Sequence, residues 1–71
     1  MQRFYFDLAD GVTTIRDDVG VEAVNLDEAL EEAEAVIREM RANGELAHLG
    51  DGWTLSIRAE AETVLAILLV E

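Results

Sequence analysis

Seventy-one residues allow one domain, and so short a chain buries only about 60% of its unfolded surface, which leaves its core marginal without help. The absence of cysteine excludes disulfides and thiolate zinc sites as that help, and the net charge of −11 argues against nucleic acid and anionic membrane surfaces as partners. With 51% hydrophobic residues the chain is too apolar to stay disordered despite its charge, so self-association is the remaining common source of stability.

Residues 2–8 (QRFYFDL) alternate, with Phe4, Phe6 and Leu8 on one face and Arg3, Tyr5 and Asp7 on the other, which predicts a strand. Asp10-Gly11 is a hairpin signal, and the β-branched stretch 12–16 (VTTIR) reads as the return strand with Ile15 as its core residue. Asp17-Asp18-Val19-Gly20 is a turn in which Gly20 supplies a positive φ, and 21–24 leads extended toward a helix.

The stretch 25–44 (NLDEALEEAEAVIREMRANG) organises the rest of the chain, and its spacing predicts a helix over about 25–43. Leu26, Ala29, Leu30, Ala33, Val36, Ile37 and Met40 fall on one helical face. Asn25 is the N-cap, and Glu28 can return its carboxylate to the Asn25 amide as in a capping box. Val24 and Ala29 are placed for a hydrophobic staple, and Asn43-Gly44 closes the helix. Acids lie early and Arg38 and Arg41 late, in line with the helix dipole, and Glu34 adds a pair with Arg38.

Residues 45–52 (ELAHLGDG) read as a loop, and 53–58 (WTLSIR) as a strand with Trp53, Leu55 and Ile57 on its core face. Ala59-Glu60-Ala61-Glu62 is the expected turn, although it lacks the usual turn residues and its Ala and Glu also suit a continuous helix through it. The final strand pattern, 63–70 (TVLAILLV), is apolar on both faces and too short to span a bilayer.

The expected fold class is therefore α+β: a β-β-α-β-β domain in which two hairpins form an antiparallel sheet with one helix on one face. A single helix cannot cover both faces of the last strand, and an exposed apolar edge invites association. We therefore expect a homodimer in which this strand, or its uncovered face, meets its two-fold mate, with Leu65, Ile67 and Leu69 as the interaction residues.

The sequence Arg3-Phe4-Tyr5-Phe6-Asp7, then Asp10-Gly11, then Asp17-Asp18-Val19-Gly20-Val21-Glu22, then Leu26-Asp27-Glu28-Ala29 resembles a family of short bacterial proteins known as domain of unknown function 6894. That family is written as an R-Y-F-F-like start, a D-G turn and a D-x-x-G-x-E stretch. The resemblance covers the first half of the chain; where the family tends to place an acidic turn with glycine, this chain has Ala59-Glu60-Ala61-Glu62. It implies no activity, because no function, ligand or catalytic residue is established for that family. A hairpin followed by an acidic E-A-L helix is more faintly similar to HicB-type antitoxin domains.

Candidate chemistry is sparse. Asp7, Asp10, Asp17, Asp18 and Glu22 can converge near the first turns as oxygen ligands for calcium or magnesium, but the alternating spacing of a calcium loop is absent. Turn formation accounts for Asp10 and Asp18. His48 and Ser56 have no orienting partner placed by the pattern, and the five glycines form no phosphate loop. No catalytic, cofactor-binding or metal residue is therefore expected. Arg3 and Arg58 are expected on polar strand faces, in exposed pairs with Asp7 or neighbouring acids.

The expectation is a small, acidic, cytoplasmic interaction module without catalytic role, with no amino-terminal targeting segment. Its two working surfaces are the last strand and the helix side carrying Glu28, Glu31, Glu32, Ala35 and Glu39. The first alternative is an antitoxin-like or mimic module that turns that acidic side toward a basic protein, and the second is a metal-binding protein or metal-dependent enzyme.

Overall fold

The computed structural model describes residues 1–45, 48, 52–60 and 63–70. Along these the chain forms β1 (Gln2–Ala9), β2 (Thr14–Ile15), β3 (Val21–Ala23), α1 (Leu26–Ala42), β4 (Thr54–Ala59) and β5 (Thr63–Leu69). Expected residues Ala47, Gly50, Asp51, Ala61 and Glu62, of the loop after α1 and of the last turn, lie outside the described residues. No described helix is long and apolar enough to cross a membrane.

The strands make one antiparallel sheet in the order β2-β1-β4-β5, and α1 covers one face, so the α+β architecture read from the sequence is the one observed. The extended lead into the helix is itself a strand: β3 pairs with the first half of β1, from Gln2↔Ala23 to Phe4↔Val21, while β2 pairs with the end of β1 at Leu8↔Ile15 and Ala9↔Thr14. Thus β2 and β3 share one side of β1. On its other side β1 runs against β4 from Phe4↔Ala59 to Ala9↔Thr54, and β4 runs against β5.

Helix signals act locally as expected. The Asn25 side chain accepts from the Glu28 amide, Asn43 closes the last turn, and Gly44 takes φ 77°. Two details differ. Glu28 accepts from the amide of Val24, not Asn25, and Val24 stays 58% exposed, so no staple forms.

The core joins Phe4, Ala23, Ala29, Ala33, Ile37, Trp53, Leu55, Ile57 and Val70. Ala29 and Ala33 at the centre of the buried stripe let the helix backbone come close to β3 and β4, on which it rests. Within the expected face the buried line is Ala29-Ala33-Ile37: Leu30 and Met40 are only half-buried, and Val36 is exposed. Ile15 is not a core residue. The return strand shortens to Thr14–Ile15 at the sheet margin, α1 lies over other strands, and Ile15 remains 51% exposed.

The last strand resolves which of its faces meets the helix. Ala66 and Leu68 pack on the core and Val70 is buried, so Leu65, Ile67 and Leu69 are left exposed. A bulge between Ile57 and Arg58 sets Leu65 out of the pairing, with Ile57↔Ala66 on one side of it and Arg58↔Val64 on the other.

Candidate functional site

The sheet face opposite the helix is polar at its centre, and the cause is one arginine. Arg58 alternates with Ser56 and Thr54 on that face of β4, yet is only 6% exposed. Its Nε donates to Asp7 Oδ2 at 2.9 Å and one terminal nitrogen to Asp7 Oδ1 at 3.3 Å, across the Tyr5↔Arg58 and Asp7↔Ser56 register. Further donors reach the carbonyls of Glu60 at 3.0 Å and Asp17 at 3.1 Å, and the guanidinium carbon lies 4.6 Å from the centre of the Tyr5 ring. The expected exposed Arg58–Asp7 pair is thus a buried one, worth far more to break.

Asp17 completes the network. Between the stretch of β1 paired with β3 and the stretch paired with β2, Phe6 has no strand opposite it on that side, and its amide donates to Asp17 Oδ2 at 3.1 Å. The side chain stands in for the missing strand carbonyl. Asp17 Oδ1 accepts from the amides of Val19 and Gly20, and the Asp17 amide donates to Asp7 Oδ1. Gly20 is required here: φ is 77°, and a Cβ would stand 2.8 Å from the Phe4 carbonyl oxygen and 3.0 Å from the Tyr5 ring.

The electrostatics follow. The Arg58 hydrogen bond holds the Asp7 carboxyl below its ordinary 3.8, against the opposing effect of burial. At Asp17 burial is the largest single influence and raises the value, but the amides of Gly20, Phe6 and Val19 together outweigh it, and the net direction is down. Both groups are ionised and occupied by partners of the fold. Among the described residues no buried side-chain nitrogen or oxygen lacks a hydrogen-bond partner.

The acids considered as cation ligands divide accordingly. Asp7 and Asp17 come together, but on a guanidinium. Asp10 caps the first hairpin by accepting from the amides of Val12 and Thr13, Asp18 is exposed, and Glu22 pairs with Arg3 at 2.9 Å. No group of three or more metal-ligating side chains stands together among the described residues. Ser56 is flanked in register by Asp7 and Ile67 and not by a histidine, and His48 is exposed.

Two surfaces remain. Glu28, Glu31, Glu32, Ala35, Val36 and Glu39 line a shallow depression along one side of α1, formed by that helix alone. The second lies between α1 and β5, where Glu34, Ile37, Arg38, Arg41, Leu68 and Leu69 border a groove of 260 Å³. Beside it Ile67 and Leu69 are 65% and 68% exposed. The predicted interaction residues therefore occupy two separate places, the glutamates on the helix and Leu65, Ile67 and Leu69 at the sheet edge.

The sequence pairs Arg58 with Asp7 only as an exposed pair and does not reveal Asp17 as part of the network. The signal for burial of the pair was an arginine in the otherwise uncharged strand TLSIRA, together with Asp7, the only acid inside the first strand.

A family model described as Domain of unknown function (DUF6894) matches residues 3–70. No curated protein and no solved structure matches the chain.

Proposed function

We propose that this chain, which belongs to the DUF6894 family of domains of unknown function, is a non-catalytic interaction module that works as a homodimer. The observation that carries the reading is the exposure of Val64, Leu65, Ile67 and Leu69 along one strand. A contiguous apolar patch of that kind marks an interaction surface more often than chance exposure does. The polar centre of the sheet supports a structural role, because its charged groups are engaged in holding β1, β4 and the turn before β3 together. The reading uses no cofactor and places the module in the cytoplasm, where recovery in a membrane or secreted fraction would overturn that placement.

Sedimentation equilibrium at micromolar concentration tests the association. The expected mass is twice the 7.8 kDa of one chain. A single 7.8 kDa species across the whole concentration range would overturn the reading.

A second reading is favoured by the acid-lined side of α1. There the module turns Glu28, Glu31, Glu32 and Glu39 toward a basic protein, in the manner of an antitoxin-like or mimic domain. Such binding weakens steeply with salt. Capture of a basic partner that is equal at low and high salt counts against it.

A further inference from the structure

We infer that two copies of this chain join edge to edge through β5, antiparallel, so that their sheets become one across a two-fold axis at Leu68. The inference rests on the self-association reading and specifies how it is achieved. It starts from hydrogen-bond parity. The Val70 amide donates to the Trp53 carbonyl at 3.1 Å, and the register continues as Thr54↔Leu69, Leu55↔Leu68, Ser56↔Ile67 and Ile57↔Ala66. Antiparallel pairs alternate between bonded and non-bonded, so Leu68 and Ala66 bond inward to β4. The amides and carbonyls of Ile67 and Leu69 therefore point to the open edge, and among the described residues no strand lies beyond β5.

The side chains of these same two residues are the most exposed large apolar ones on the strand. Backbone donors and acceptors thus coincide with apolar side chains, which is what a pairing strand offers. Natural edges are usually protected by charge, proline or a bulge. From Thr63 to Val70 there is no charge and no proline, and the single bulge lies at Leu65, which leaves 66–70 regular.

Charge selects a second copy as the occupant. Two chains of net charge −11 repel almost everywhere, but this edge is neutral and is bordered on α1 by Arg38 and Arg41 together with Glu34. A two-fold operation sets opposite signs from this mixed border against each other, with Glu34 of one copy on the side of the arginines of the other. An axis at Leu68 pairs Ile67 with Leu69 of the second copy twice over, giving roughly four backbone bonds. An axis at Ile67 would instead draw in the backbone distorted at Leu65.

Backbone amide exchange read by NMR, with sedimentation equilibrium on the same samples, tests the mode. Where nine-tenths of chains are paired, the Ile67 and Leu69 amides should exchange roughly tenfold more slowly than in dilute sample. Ile67→Lys should be monomeric with unchanged circular dichroism and Trp53 fluorescence. A dimer in which those two amides exchange equally fast at both concentrations overturns edge pairing while leaving self-association standing. A monomer at every concentration overturns both. The exchange result on the unaltered chain decides the matter even if Ile67→Lys does not fold.

Discussion

Asp7→Asn removes one charge from the centre of the sheet while keeping the shape of the side chain. The Asp7 and Arg58 side chains are 14% and 8% exposed and 2.9 Å apart at closest approach, so solvent screens them little. With charge centres about 4 Å apart and an effective dielectric near 20, their attraction is about 4 kcal/mol. Breaking one side of a buried pair costs about 3–5 kcal/mol, since the remaining charge stays without its counter-ion. A domain of this size has a stability of roughly 4–10 kcal/mol, so the variant should be near the limit of folding. Urea unfolding followed by Trp53, buried at 8% exposure, reads the change directly. With a slope of about 1 kcal/mol per molar, the midpoint should fall by roughly 3–5 M. Asp7→Leu combined with Arg58→Met should recover much of the loss, because an apolar replacement of a buried pair is often neutral or better. A cost for Asp7→Asn below about 1 kcal/mol, the worth of an exposed pair, would refute the assignment of Arg58 and Asp7 as the clamp between β1 and β4.

Ile37→Ala opens a cavity beneath the helix and should cost about 2–4 kcal/mol, whereas Leu30→Ala, at a half-buried site, should cost about 1–2 kcal/mol; the same urea assay ranks them, and the reverse order would mean a different helix face is buried. Gly20→Ala should lose about 2–3 kcal/mol from its left-handed backbone and the close Phe4 carbonyl, clearly more than Gly11→Ala, where φ is also positive but nothing stands within 4 Å. Asp7 and Asp17 both titrate below 3.8 in the folded chain, so their stabilisation is complete above that pH and is lost as pH falls through their folded values. The urea midpoint should therefore decline below about pH 4, and a midpoint that rises there in spite of protonation would contradict the network.

The helix, its caps and the strand alternation were legible because each is a local matter, set by residues within a few positions of one another. Asn25, Gly44 and the Phe4-Phe6-Leu8 face all act as their spacing implies. The failures are of another kind. Ile15 looks like core in its own strand, but whether it is covered depends on where a distant helix crosses the sheet. Arg58 looks like a surface cation, but its burial depends on Asp7, 51 positions away, and on a loop that folds back beneath it. Asp17 reads as a turn residue and is one, yet its second oxygen serves a strand that lacks a neighbour, which no local pattern reveals. That one face of the last strand stays uncovered was legible, because an apolar run on both faces exceeds what one helix can cover; that it is the face of Ile67 and Leu69 was not, since both parities are apolar.

The sheet order also bears on how the chain acquires its structure during synthesis. Strand β1 has β4 as its long neighbour, and the clamp between them spans 51 positions. A nascent chain ending at residue 44 holds the helix and the short strands β2 and β3 but not the partner that buries Phe4 from the other side. Contacts of such sequence separation slow folding, since a long loop must close before they return any energy. Folding should thus wait until β4 has been made, and the fragment 1–44 should show no cooperative melt by circular dichroism. Until then the exposed strands depend on the strong charge of the chain to keep neighbouring copies apart, which gives the eleven acids of residues 1–44 a use during folding that is separate from any partner.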